Sequence, residues 1–175
     1  MIKNVLYSVI FMLLCFSCKD ENALKAQLAP KLTDEIPVSD FKTLEPLLHT
    51  NSDTTYIVNF WAMWCAPCVK ELPYFVDYVN THKYENVEVI FVSLDFPEDI
   101  ESKLIPFIQE KKITSKVVLL DEPDANSWID KISPNWSGAI PFTIVFDKEQ
   151  RKYYERTFES VEDLEQTIHK NFNIK

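Results

Sequence analysis

Asn59-Phe60-Trp61-Ala62-Met63-Trp64-Cys65-Ala66-Pro67-Cys68 follows the apolar run Tyr56-Ile57-Val58 and precedes a helical pattern that reaches about Thr81. A C-x-x-C pair at a strand-to-helix junction has a specific chemical use. The first cysteine meets the free N–H groups and positive dipole end of the helix, which favour a thiolate. Such settings lower a thiol pKa from about 8.5 to roughly 3.5–7.5. The second cysteine lies one turn on, on the same side, with Cα atoms expected about 5 Å apart and within disulfide range. Cys65 can then attack a disulfide and Cys68 can resolve the mixed disulfide. Pro67 suits the first turn, where its missing N–H costs little. The alternative is an inert disulfide closing a very small loop, which constrains the unfolded chain only weakly.

Outward from this segment, helix and strand patterns alternate. Asp40 or Ser39 caps a short helix to about His49, with Phe41, Leu44, Leu47 and Leu48 on one face. Residues 56–61 read as a strand, and 65–81 as a helix that Pro73 should kink. Residues 87–93 form a second strand. Pro97, Glu98 and Asp99 open a helix to about Lys111, 117–120 form a third strand, and 124–132 a short helix carrying Trp128. Strands over 141–146 and 153–158 flank the Asp147–Gln150 turn, and Ser160 with Asp163 makes a capping box for the last helix. This pattern predicts an α/β fold, a mixed central sheet flanked by helices on both faces and ending in an antiparallel hairpin.

Composition narrows the function. A chain of 175 residues, 46% hydrophobic and 13% aromatic, has room for one well-filled domain. A net charge of −9 and a pI near 4.8 leave no basic footprint, so nucleic acid is not an expected partner. One glycine, Gly138, excludes Gly-rich phosphate cradles. His49, His82 and His169 lack ligand spacing, and the far-upstream Cys15 and Cys18 do not complete a zinc ribbon with Cys65 and Cys68. No metal, nicotinamide or flavin site is visible, so no cofactor is expected.

Residues 1–17 carry Lys3 and then an apolar run from Val5 to Phe16, too short for a comfortable membrane span of about 20 residues. With Ser17 before Cys18 and polar residues after it, this start resembles a bacterial lipoprotein signal cut before an acylated Cys18. An uncleaved anchor and an ordinary signal peptide are the alternatives. Residues 18–35 read as a tether and 36–175 as the folded domain, in an exported compartment where disulfides persist. Lys19-Asp20-Glu21 loosely resembles signals that send lipoproteins to the cell surface rather than leaving them facing the periplasm.

Asn59-Phe-Trp-x-x-Trp-Cys-x-Pro-Cys-x-x-Glu-x-Pro resembles the thioredoxin superfamily, and within it the TlpA/ResA-like branch of exported thiol:disulfide oxidoreductases. The resemblance covers about residues 36–172 and implies a thioredoxin-like fold. It implies a cis bond between Ile140 and Pro141 beside Cys65, and a substrate surface bordered by Trp64, Ala66, Pro67, Ile140 and Pro141. Glu71 matches a glutamate of that branch that tunes the cysteines; lying one turn past Cys68, it is also the nearest sequence candidate for moving that thiol's proton. Its bland reading is a solvated carboxylate beside Lys70.

Thioredoxins place a buried aspartate where this chain has Asn59, and Phe142 stands where close relatives often have Thr. Trp61 reads as packing. Peroxiredoxins share the fold but need a Thr three residues before the nucleophile, where this chain has Ala62 for Cys65 and Cys65 for Cys68. The stretch between Cys68 and Ile140 leaves no room for the large helical insertion of a strong periplasmic oxidase. The resemblance therefore implies a monomeric, membrane-anchored reductase of disulfides in exported proteins, apocytochrome c cysteines among them. A transmembrane donor of the DsbD or CcdA type would recharge it. The alternatives are an oxidase or isomerase, and a binding module with a structural disulfide.

Overall fold

The computed structural model describes residues 35–81 and 84–174. The expected signal, the Cys18 acylation site, nearly all of the tether and His82 lie outside the described residues.

β1 (Val38–Ser39) leads into α1 (Phe41–Leu44), where the Asp40 carboxylate accepts the Thr43 N–H at 2.8 Å and caps the turn. A 3₁₀ turn over Glu45–His49 continues it, started by Pro46. β2 (Thr55–Trp61) is an apolar run with only Tyr56 partly exposed, as a central strand requires. α2 (Ala66–Thr81) runs through Pro73, whose ring sits on the exposed side while Cys68, Glu71, Leu72, Phe75 and Tyr78 face inward.

β3 (Val87–Ser93) matches its expected span. The helix expected after Pro97 divides into three. A 3₁₀ turn (Pro97–Asp99) and a π turn (Ile100–Leu104) precede α3 (Ile105–Glu110). Pro106 explains the break: it has no N–H to donate, and its ring crowds the carbonyl four residues back. The Ile105 N–H bonds Ile100 O instead, five residues away.

β4 (Lys116–Leu120), α4 (Ile129–Ile132), β5 (Phe142–Phe146), β6 (Arg151–Tyr154) and α5 (Val161–His169) complete the chain. The helix expected over 124–132 is split by Trp128, whose φ of −134° is not helical. β6 starts earlier than expected because Asp147 Oδ1 accepts both the Glu149 and Gln150 N–H groups and tightens the turn. It stops at Tyr154, opposite Thr143, because the next residues on that partner strand are Phe142 and the N–H-less Pro141. Half of the expected capping box forms: Ser160 Oγ accepts the Asp163 N–H, but the Asp163 carboxylate turns to Arg156 and to the Glu159 N–H.

Among the described residues six strands form one mixed sheet in the order β1-β4-β3-β2-β5-β6. The first four are parallel; β5 pairs antiparallel with β2 and β6 antiparallel with β5, the hairpin the sequence pattern predicts. Side chains on the two faces feed two separate cores. One packs Ile57, Trp61, Phe91 and Val145 against α2 and α5; the other packs Val58, Phe60, Ile90 and Ile144 against α1 and α4. Each fully buried Leu, Ile or Phe contributes about 1.5–3 kcal/mol.

Candidate active site

β2 delivers the chain to the sheet's carboxyl edge, and the turn Ala62–Trp64 carries it to α2. The Cys65 N–H bonds Ala62 O at 3.1 Å and Cys65 O accepts the first helical N–H, from Val69, at 3.0 Å. Cys65 therefore caps α2. It is disulfide-bonded to Cys68 with Cα atoms 5.3 Å apart, as the one-turn spacing predicts. The Cys68 N–H points at Cys65 Sγ, 3.3 Å away, which is the donor a thiolate on this sulfur would use. Cys65 is 6% exposed and Cys68 is 0% exposed. Of the pair, only Cys65 retains any exposure.

The peptide bond between Ile140 and Pro141 is cis, and the Ile140 carbonyl oxygen lies 3.6 Å from Cys65 Sγ. Trp64, 61% exposed, stands beside the disulfide with the exposed Ala66 and Pro67. Ile140 is half-buried and Pro141 buried. The loop bearing this pair is clamped: the Trp136 indole N–H donates to Ala139 O at 2.7 Å, and its ring stacks on Phe142 with centroids 4.0 Å apart. Gly138 turns with φ +87°, a value that suits glycine. Phe142 thus points into the far core, away from the disulfide, and does not shape the groove.

Below the disulfide lies a polar floor. Glu71, on the inner face of α2 one turn after Cys68, is fully buried, which overturns its reading as a solvated carboxylate. Asn59 Nδ2 donates to Glu71 Oε1 at 2.9 Å and to Thr143 Oγ1 at 3.0 Å, while the Phe158 N–H donates to Glu71 Oε2 at 2.7 Å. Antiparallel register places Asn59 opposite Thr143, so both side chains share a face. Burial pushes the Glu71 carboxyl up to about 7; the Phe158 and Asn59 hydrogen bonds and the Arg156 charge pull it down by less. A group titrating there can take up and return a proton near neutrality.

Asn59 Oδ1 and Trp61 Nε1 are buried without hydrogen-bond partners among the described residues. Asn59 can donate as well as accept, which a carboxylate at this position could not. Turning its amide over would present Oδ1 to a protonated Glu71 and to the Thr143 hydroxyl, so one side chain can serve both protonation states.

Sequence reasoning missed Thr143, Trp136 and Asp95. The buried Asp95 accepts the Met63 N–H with both oxygens, at 3.0 and 3.2 Å, two residues before Cys65. Its signal was an acid two residues past the apolar strand Val87–Ser93, at a sheet's carboxyl edge where α/β folds place functional groups. His49 and His169 are exposed, and His169 Nε2 lies 3.3 Å from Tyr78 Oη, away from the disulfide.

The AhpC/TSA family model matches residues 26–157, most of the chain. The chain belongs to the AhpC/TSA family. Among curated members of the wider group, sporulation thiol-disulfide oxidoreductase A of Bacillus subtilis is 35% identical over 69 residues, 39% of this chain and 42% of that protein. Thiol-disulfide oxidoreductase ResA of Oceanobacillus iheyensis is 41% identical over 61 residues, 35% of this chain and 30% of that one. The chain thus matches less than half the length of either relative. Among solved structures, the thioredoxin domain of a thiol-disulfide oxidoreductase from Bacteroides vulgatus superposes with a TM-score of 0.52 at 27% identity, covering 69% of this chain and 81% of that one. The fold of this AhpC/TSA member is thioredoxin-like.

Proposed function

We propose that the chain is a thiol:disulfide oxidoreductase that reduces disulfides in exported proteins. The observation that carries this reading is a disulfide at the N-terminus of α2 in which only Cys65 retains any exposure, its sulfur 3.6 Å from the carbonyl that precedes a cis proline. The names of the relatives support it.

In the reduced protein the Cys65 thiolate attacks one sulfur of a partner disulfide, and the partner's other sulfur leaves as a thiolate. Cys68 then loses its proton, with Glu71 as the acceptor, and attacks Cys65 Sγ. The Cys65–Cys68 bond forms, the mixed disulfide breaks, and the partner leaves carrying both electrons. Trp64, Ala66, Pro67, Ile140 and Pro141 form the surface on which an extended partner segment lies, with the Ile140 carbonyl free to accept a backbone N–H. A dithiol donor of the DsbD or CcdA type returns the electrons. Acylation of Cys18 anchors the domain to a membrane, on the periplasmic side of the cell envelope.

Insulin reduction by the protein and by Cys65→Ser tests the reading. The expected result is turnover in the first and none in the second; equal rates in both would leave a binding module with a structural disulfide. Loss of acyl labelling in Cys18→Ala tests the anchor.

A further inference from the structure

Met63 N–H needs one acceptor, and a neutral one would satisfy it. The chain instead buries a carboxylate there, at 5% exposure, which is a costly choice without a counter-charge. Among the described residues no lysine or arginine pairs with Asp95. Its partners are the Met63 N–H and the Ser93 hydroxyl, which donates at 2.8 Å, and Ser93 Oγ in turn accepts the Asp95 N–H at 3.1 Å. The nearby Asp99 adds negative charge and has its own cation, Lys103, at 2.9 Å. Burial raises the Asp95 carboxyl, the Ser93 and Met63 hydrogen bonds lower it, and Asp99 raises it again. The same strand end also fixes the turn from above, with the Leu94 N–H on Trp61 O at 2.8 Å.

We propose that Asp95 is a positioning residue with two effects on the Cys65–Cys68 pair: its hydrogen bonds hold the 62–64 turn beneath Cys65, and its charge keeps the pair reducing. The disulfide is neutral, whereas the reduced pair carries a thiolate on Cys65. A fixed anion bonded to the backbone two residues before that sulfur disfavours the thiolate and leaves the disulfide untouched, so the couple gives up its two electrons more readily. It opposes the stabilisation offered by the α2 N-terminus. The other charged groups of α2 near this end are the buried Glu71, below Cys68, and Lys70, which is exposed and engaged by Glu159. This inference deepens the proposed reductase reading and rests on it for its purpose, but its test needs no protein substrate.

Asp95→Asn keeps an oxygen for Met63 N–H and removes the charge. Equilibrating the full chain with mixtures of reduced and oxidised glutathione at pH 8, the variant should favour the dithiol about tenfold more than the wild type, or about 30 mV for two electrons. The pH midpoint of Cys65 alkylation should fall by about one unit, and the two proteins should converge at pH values below that midpoint. Ser93→Ala loosens the brace and retains the charge, so its equilibrium should stay near wild type. Unchanged equilibrium and alkylation midpoint in Asp95→Asn, or a shift in Ser93→Ala as large as that in Asp95→Asn, would overturn the proposal. Wild type that fails to reduce insulin while Asp95→Asn still shifts would instead sink the reductase reading alone.

Discussion

The face of the sheet that packs on α2 and the face that packs on α1 and α4 are built from the same strands by alternation. On β2, Thr55, Ile57, Asn59 and Trp61 point one way and Val58 and Phe60 the other; β3 and β5 divide similarly. Among the described residues, the buried polar side chains carried by the strands are Thr55, Asn59, Ser93 and Thr143, all of the α2 parity. The opposite face is apolar: Phe60 lies between Trp128, Trp136 and Phe142, with ring centroids 5.3–6.2 Å away. One face holds titratable groups under the Cys65–Cys68 disulfide, and the other holds an aromatic slab that supports the cis-proline loop. The separation lets the first face carry polar groups at a stability cost that the second offsets.

Substitutions that strike one face and spare the other test this division. Cys65→Ser should reduce disulfide exchange by about 10³-fold or more, as loss of a covalent nucleophile does, while the denaturation midpoint hardly moves. Leu44→Ala, in α1 on the other face, should do the reverse. It should cost about 2–5 kcal/mol in urea unfolding, with exchange by the folded fraction close to wild type. A large loss of exchange in folded Leu44→Ala would contradict this division.

Glu71 gives a pH signature to the first face. Its carboxyl is raised from 4.5 to about 7 in the folded protein, so the folded state binds the proton more tightly than the unfolded state. Stability should then fall as pH rises from about 4.5 to 7, by about 3 kcal/mol in all from this group. Glu71→Gln should flatten that slope, because Asn59 can turn its amide to meet the new donor. The variant should melt above wild type at pH 8, and resolution of the mixed disulfide should slow. Identical pH–stability curves for the two proteins would contradict the buried-proton account.

The smallest effect sharpens the link between the faces. Trp136→Phe keeps most of the ring stacking and deletes the hydrogen bond to Ala139 O, at a cost of about 1 kcal/mol. Insulin reduction should slow severalfold because the Ile140 carbonyl is no longer fixed beside Cys65. An unchanged rate would show that the stacking alone positions the loop.

The parts of this design that were legible in the sequence are those with local signals. The C-x-x-C spacing, the strand before it and the Asp40 and Ser160 caps are readable within a few residues. Glu71 was visible as a candidate, but its burial was not, because burial depends on Phe158 and Asn59 arriving from distant segments. Asp95, Thr143 and Trp136 contribute through contacts more than 30, more than 80 and only three residues away in sequence. Even the last was hidden, since Trp136 acts through a loop geometry that no periodicity encodes. β1, two residues long, has no pattern at all and exists because β4 offers an edge.

If Cys65 attacks and Cys68 resolves, the two cysteines behave differently when a mixed disulfide is trapped. Cys68→Ser, reduced and mixed with an oxidised protein substrate, should accumulate a covalent complex through Cys65 that dithiothreitol dissolves. Cys65→Ser should form none. A complex that forms through Cys68 instead, at a comparable rate, would contradict the assignment of Cys65 as the nucleophile.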